Sequence, residues 1–195
     1  MSEDTKYRIL QAASKVFGKF GYTKANIDDI AGEAGVASAT LYHYFKNKEE
    51  IFLTIVRDEA HDLESRINQA VAKSETPQQK LKVFFITQYR QLFENINFYN
   101  LTQEQLLGFH PLIFKGLKEF NSYRTRKIRE IVQEGIDKKI FKPLDMNLLI
   151  EVIQDLNKGA FMRMRIQKRN FNVEKYIDFL FTIIFKGIEL ERKGK

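Results

Sequence analysis

Apolar residues return along this chain with a period near 3.6, the spacing of a helix that buries one stripe. From about Asp4 to Phe20 the stripe is Ile9, Ala12, Ala13, Val16, Phe17 and Phe20, and Gly21 is placed to stop the helix. Asn26 is expected to cap a short second helix, with Asp28 and Asp29 at its positive end and Gly35 at its close. Ser38 is expected to cap a third helix, to about Phe45. Asn47 with Glu50 resembles a capping box and opens a long fourth helix, to about Ala72. Thr76-Pro77 starts a fifth, to about Asn97, and a short sixth is expected around Thr102 to Gly108. The seventh runs from Pro111 to about Lys138, Asp145 caps an eighth to about Lys168, and Asn172 caps a ninth. Three Pro and ten Gly in 195 residues leave these patterns standing, so the expected fold is all-α with about nine helices.

The stretch "GVASATLYHYFKNKEEIF", residues 35–52, does not read as a core helix, because Tyr42, His43, Tyr44 and Phe45 spread rings round its whole circumference. Counting back from Gly35 gives the register of a helix-turn-helix that begins at Ile27. In that register Ile30, Ala34, Val36 and Leu41 share a core, and Ala31 is small where the helices cross. Gly35 supplies the left-handed residue of the turn. Leu41 and Phe45 then point inward, while Ser38, Ala39, Thr40, Tyr42, His43 and Tyr44 lie at or near the surface. Small residues let a backbone approach a DNA groove, and Tyr and Thr can meet phosphate oxygens or thymine methyls. The plainer alternative is a polar cap over aromatic core residues.

At this point "TKYRILQAASKVFGKFGYTKANIDDIAGEAGVASATLYHYFKNKEEIF" resembles the N-terminal domain of tetracycline-repressor (TetR) family regulators, over roughly residues 6 to 56. The later "EGIDKKIFKPLD" resembles a recurring family segment more weakly. The resemblance implies a DNA-binding domain over residues 1–48 and a helical ligand-binding and dimerisation domain over 49–195. It implies that Ser38 and Ala39 face bases, that Thr40, Tyr42, His43 and Tyr44 touch phosphates or bases, and that Lys48 holds a phosphate. Tyr42 and Lys48 are read as exposed. Residues 37–39 are Ala-Ser-Ala where many family members carry Lys, Arg or Gln, so this helix lacks a bidentate guanine reader. Specificity is then expected from tyrosine packing, water-mediated contacts and DNA shape.

Charge adds less than its total suggests. The net charge is +7, yet residues 1–48 hold seven Lys/Arg against five Asp/Glu, residues 49–157 fifteen against sixteen, and residues 158–195 ten against four. A basic chain suits a polyanion, but the excess lies at the C-terminal end and does not mark the DNA-binding part. A hydrophobic fraction of 44% with 29% charged residues describes a globular protein, and no apolar run approaches a membrane span. The N-terminus has no leader-like pattern, so a cytoplasmic protein with no membrane partner is expected. Absence of Cys excludes disulfides and thiolate chemistry, and nothing implies a cofactor or a metal.

Apolar residues of the ninth helix cover about two thirds of its circumference, wider than a one-sided stripe. Leu156 of the eighth helix, with Tyr176, Leu180, Ile183, Ile184 and Ile188 of the ninth, is therefore expected at a homodimer interface of four helices. The alternative is a helix sunk in the monomer core. Fourteen of the seventeen Phe lie beyond residue 50. Phe84, Phe85, Tyr89, Phe109, Phe114 and Phe161 are candidates to line an apolar small-molecule pocket, with Gln88, His110, Tyr123 and Asn157 to orient the ligand. Aromatic residues at helical spacing are usually core, so the expectation is a pocket somewhere among them and not any single assignment. Arg163, Arg165, Lys168 and Arg169 read as a solvated helix end or as a cradle for an anionic head group.

Asp58, His61, Asp62 and Glu64 sit at helical spacings and could be imagined as metal ligands, but a charged solvent face explains them better. No nucleophile–base pair or phosphate loop appears, so an enzyme is not expected. A ligand-responsive dimeric repressor, released from a palindromic operator in double-stranded DNA by a small, mainly apolar effector, is the reading that uses all these features. A helical protein–protein module, or a constitutive DNA-binding protein without effector, is the alternative.

Overall fold

The computed structural model describes residues 2–98, 112–166 and 172–188, and among these the chain is helical without strands. The helices are α1 (Glu3–Lys24), α2 (Ile27–Ala34), α3 (Ser38–Tyr44), α4 (Lys48–Ala72), α5 (Pro77–Phe98), α6 (Lys118–Asp137), α7 (Met146–Ile166) and α8 (Val173–Ile188). Residues 112–116 are also helical, and a turn at Leu117 separates them from α6, where one unbroken helix was expected. The short helix expected around Thr102 to Gly108 lies outside the described residues.

Most boundaries follow the polar residues that close them. Asn26 accepts from the Asp29 amide at 2.7 Å while the Asp29 carboxylate accepts from the Asn26 amide, a reciprocal box. The Thr76 hydroxyl and the Gln79 side chain do the same for α5. Asp145 accepts from Asn147 and Leu148 at the start of α7, and Asn172 accepts from Lys175 at the start of α8. Asn47 accepts from the Glu50 amide, but the Glu50 carboxylate reaches back one residue further than expected, to the Lys46 amide at 2.7 Å.

The first helix departs from its expected end. Gly21 has φ 74° and ψ 157°, a conformation open essentially to glycine alone, and it kinks the chain without ending the helical run. Phe20, counted in the apolar stripe, is left 41% exposed under the Lys19 ammonium. Past the kink Tyr22 takes the core place, its ring 5.7 Å from Phe17 and 5.1 Å from Phe52.

Two compact units divide the chain, one of Met1–Asp62 with Glu94–Glu119 and one of Leu63–Phe93 with Phe120–Lys195. The first is centred on Ile9, Ala13, Phe17, Ile30, Leu41, Phe45 and Ile51, all buried. In the second, Phe84, Phe85, Ile128, Ile131, Val132, Phe141 and Ile177 are buried. Glu134 joins two lysines there, Lys80 at 2.7 Å and Lys138 at 2.6 Å. Hydrogen bonds from Lys138 and Lys80 hold its carboxyl below the ordinary range. A depressed carboxylate contributes stability above its unfolded pKa of about 4.3 and loses it as pH falls through the lower folded value. Glu134→Gln is therefore expected to lower the unfolding midpoint at neutral pH and to flatten the loss seen on acidification below about pH 4. Equal midpoints for the two proteins at neutral pH would remove this bridge from the stability of the unit.

Candidate nucleic-acid interface

The turn between α2 and α3 is built on Gly35, whose φ of 65° and ψ of 38° are left-handed. The Gly35 amide donates to Gly32 O and the Val36 amide to Ala31 O, which closes α2. Ile30, Ala31, Ala34 and Leu41 are buried around this turn, and Val36 packs against them half-buried. The core fixes how α3 is presented: Leu41 and Phe45 are buried, and the opposite side carries what the core cannot use.

Ala39, Tyr42 and His43, at i, i+3 and i+4, form the exposed side of α3, with Tyr42 56% exposed. Ser38, Thr40 and Tyr44 are half-buried, and Tyr44 packs on the edge of the core. Ser38 is not the cap expected. Ala37 occupies that position with extended φ and ψ and no side-chain bond, so Ser38 is the first helical residue. From there its hydroxyl donates instead to Asp28 Oδ1 at 2.6 Å, tying α3 to α2. The exposed side thus offers one methyl, one phenol and one imidazole, and no guanidinium on α3 itself.

Lys48 corrects a second expectation, that of an exposed side chain. It is half-buried, and its ammonium donates to Tyr22 O at 2.8 Å and Ala25 O at 2.7 Å while lying 4.5 Å from the Tyr22 ring centroid. Burial lowers its pKa, and burial, then the nearby Glu49 carboxylate, raises that of Tyr22. The acceptors are carbonyls at the C-terminal end of α1, where a cation also meets the helix dipole. Arg8 makes the matching bond at the other helix end, from Nη2 to Ala34 O at 2.7 Å. Neither bond shows in the sequence, because each joins a long side chain to backbone 26 residues away at most. Charge-assisted bonds of this kind contribute about 1.5–3 kcal/mol each. Lys48→Ala should then lower the urea or thermal midpoint by the equivalent of about 2 kcal/mol, whereas Tyr42→Ala should leave it within about 0.5 kcal/mol of the wild type. Equal midpoints would show that Lys48 does not hold the fold.

In the C-terminal unit, Phe84, Phe85 and Tyr89 are buried and packed: Phe84 lies 5.1 Å from Phe85, which lies 5.4 Å from Phe181. Gln88 is also buried, and among the described residues its Oε1 has no hydrogen-bond partner. Burial, reinforced by Tyr176, raises the Tyr89 pKa. The Tyr123 hydroxyl donates to Asn68 Oδ1 at 2.9 Å, and burial, then Glu64, push its pKa up to about 12. Phe114 belongs to the other unit and is 48% exposed. Phe109 and His110 lie outside the described residues, as do the side chains of Asn157, Phe161 and Ile188.

Helix α8 is two-sided. Val173, Ile177 and Phe181 are buried at i, i+4 and i+8, while Phe179 and Ile183 are 68% and 56% exposed. Tyr176, Leu180 and Ile184 are half-buried between the two sides. Leu148, Val152 and Leu156 on α7 are exposed as well. Val152, Asp155, Leu156, Gly159 and Tyr176 line a depression of about 350 Å³. Asp58, His61 and Asp62 are exposed on α4, and among the described residues no three His, Cys, Asp or Glu converge as a metal site. No described helix is long and apolar enough to cross a membrane.

A helix-turn-helix with an exposed second helix, followed by a helical C-terminal unit, defines the class as a transcriptional regulator that binds DNA. Residues 9–55 match the family described as bacterial regulatory proteins, tetR family, and this segment of the chain belongs to that family. The transcriptional repressor KstR2 of Mycolicibacterium smegmatis is 29% identical over 149 residues, covering 75% of this chain and 73% of the relative. The fatty acid metabolism regulator protein of Bacillus subtilis is 27% identical over 147 residues, covering 75% and 76%. Among solved structures, FadR of Bacillus subtilis in complex with stearoyl-CoA matches the fold with a TM-score of 0.73 at 21% identity, covering 94% of this chain and 100% of that one.

Proposed function

We propose that the protein is a dimeric repressor that reads a palindromic operator through Ala39, Tyr42 and His43 of two α3 helices and is released by a mainly apolar effector. The observation that carries the DNA-reading part is the exposed side of α3, presented by a fully buried Leu41 and Phe45 inside the segment that matches the family. Ser38, Thr40 and Tyr44 border that surface. Lys48, committed to two carbonyls, keeps one N–H for a phosphate.

The apolar side of α7 and α8 supports a second copy as its occupant. Leu148, Val152 and Leu156 on α7 and Phe179 and Ile183 on α8 are exposed apolar side chains of the kind a two-fold axis matches to itself. Two recognition helices must lie about 34–36 Å apart to enter successive major grooves. α4 contributes residues to both compact units and links effector occupancy to that spacing. A relative named for fatty acid metabolism, and a fold neighbour holding stearoyl-CoA, support a long acyl chain as the apolar part of the effector. The close packing of Phe84, Phe85 and Phe181 favours a second reading, a repressor without effector.

Selection of bound fragments from genomic DNA, followed by binding at several salt concentrations, tests the DNA-reading part. Recovery of a palindrome whose affinity falls steeply with salt is expected; fragments with no common sequence, bound independently of salt, would overturn it. Release of that palindrome by palmitoyl-CoA supports the effector reading, and no release by acyl-CoA of any chain length favours the effector-free repressor.

A further inference from the structure

The bond that ties α3 to α2 also sets the hydrogen-bonding character of the surface beside it. Asp28 lies in the first turn of α2 and is exposed. The Ser38 hydroxyl donates to Asp28 Oδ1 at 2.6 Å. A hydroxyl has one proton, so with that proton given to the carboxylate the Ser38 oxygen meets any further group as an acceptor. The carboxylate has no proton to give, and Ser38 occupies one of its roughly four lone-pair sites. Side by side, the two side chains present acceptors only.

Their place in the fold puts these acceptors at the edge of the side proposed to read DNA. Ser38 is the first residue of α3, next to the exposed Ala39 and one turn before the exposed Tyr42. The arrangement is held from beneath, since Ile30 of α2 and Leu41 of α3 are fully buried and Gly35 sets the turn between them. The other carboxylates of α2 are turned elsewhere: Asp29 accepts from the Asn26 amide, and Glu33 pairs with Lys15. Asp28 is therefore the acidic residue of α2 that stands against the recognition helix.

A negative charge brought up to DNA is repelled by the phosphates, and only a donor on the base edges offsets that cost. In the major groove guanine shows two acceptors and thymine an acceptor with a methyl group, whereas cytosine shows the N4 amino donor. Adenine has an amino donor too, but its N7 acceptor lies beside it. We propose that Asp28, oriented by Ser38, accepts from the N4 amino group of a cytosine at one fixed position of each half-site and rejects guanine there. The inference rests on the DNA-reading part of the function proposed above and narrows it to the base at one position.

The test selects from a random-sequence duplex library with the full-length wild type, Asp28→Asn and Asp28→Ala. Wild type is expected to recover half-sites with cytosine at one position, favoured at least ~5-fold over each other base. The asparagine variant keeps an oxygen for Ser38 and gains a donor, so that position alone should move to adenine, whose N6 and N7 an amide matches. The alanine variant should lose the preference at that position and keep the others. Replacing the cytosine by pyrimidin-2-one, which lacks only the amino group, should weaken wild-type binding at least ~5-fold more than it weakens binding by Asp28→Ala. Base preference is the readout, so a general loosening of α3 does not imitate the result. A wild-type site without such a cytosine, a cytosine retained in both variants, or an equal penalty for pyrimidin-2-one in wild type and Asp28→Ala overturns the role of Asp28 and leaves DNA reading by α3 in place. Recovery of no common sequence by any of the three proteins overturns DNA reading and this inference together.

Discussion

A chain carrying Phe179→Glu with Ile183→Glu should sediment as a monomer at concentrations where the wild type is expected to sediment as a dimer, and should lose the proposed palindrome while keeping its own fold. Both side chains are exposed in the single chain, so charging them leaves Val173, Ile177 and Phe181 buried as before. A two-fold seam would place four carboxylates in apolar surface, each costing several kcal/mol unless paired. That is enough to raise the dimer dissociation constant by at least about 10³-fold. Leu180 and Ile184 are poorer choices for the same test, because they are half-buried and charging them would also disturb the monomer. Sedimentation shows the assembly and thermal unfolding at fixed concentration shows the fold; a double variant that stays dimeric excludes α8 as the seam.

Gly135→Ala should be among the most damaging single substitutions in the C-terminal unit. A Cβ at this position would meet the Phe141 ring, with Cγ at 2.9 Å and two ring carbons nearer still. Phe141 cannot withdraw, since it is 1% exposed and stacked on Phe185 at 6.0 Å. The chain is pinned above the glycine too: Gly135 O accepts from the Ile140 and Phe141 amides at 2.8 and 3.0 Å, and Lys139 turns with φ 54°. Overpacking of this kind costs about 1–3 kcal/mol and more where neighbours are rigid, which corresponds to a fall in midpoint on the order of 10 °C. Phe141→Leu placed in the Gly135→Ala chain should recover part of the loss, because the two sites are coupled. Additive losses in the double variant would show that the ring is not what the methyl meets.

What could be read before the structure was local. The caps at Asn26, Thr76, Asp145 and Asn172 each bond to an amide two or three residues on, so residue type and spacing suffice to place them. Gly35 was legible for the same reason, since a left-handed residue at a tight turn has few alternatives. Ser38 shows the limit: capping propensity favours it, but Asp28 across the turn offers a stronger acceptor and Ala37 holds the cap position by backbone alone. Phe20 fitted the apolar period and is nonetheless exposed, because Gly21 redirects the chain and hands the core place to Tyr22. Arg8 and Lys48 at helix ends were beyond reach, since their meaning depends on backbone far away in sequence. For α8 the breadth of the apolar pattern was visible, but which residues the monomer itself buries was not.

The Arg8 and Lys48 bonds bear on how this reading head can drift in sequence. Their acceptors are the main-chain oxygens of Tyr22, Ala25 and Ala34, which every amino acid supplies. Replacement of the acceptor residue therefore leaves the bond formed, whereas replacement of either cation removes it. A carboxylate partner would have required two positions to change together. Here the mutational constraint falls on one side only, so a scan of all substitutions should find positions 8 and 48 less forgiving for folding than the exposed face of α3, where the proposed operator contacts could change without loosening the support beneath them.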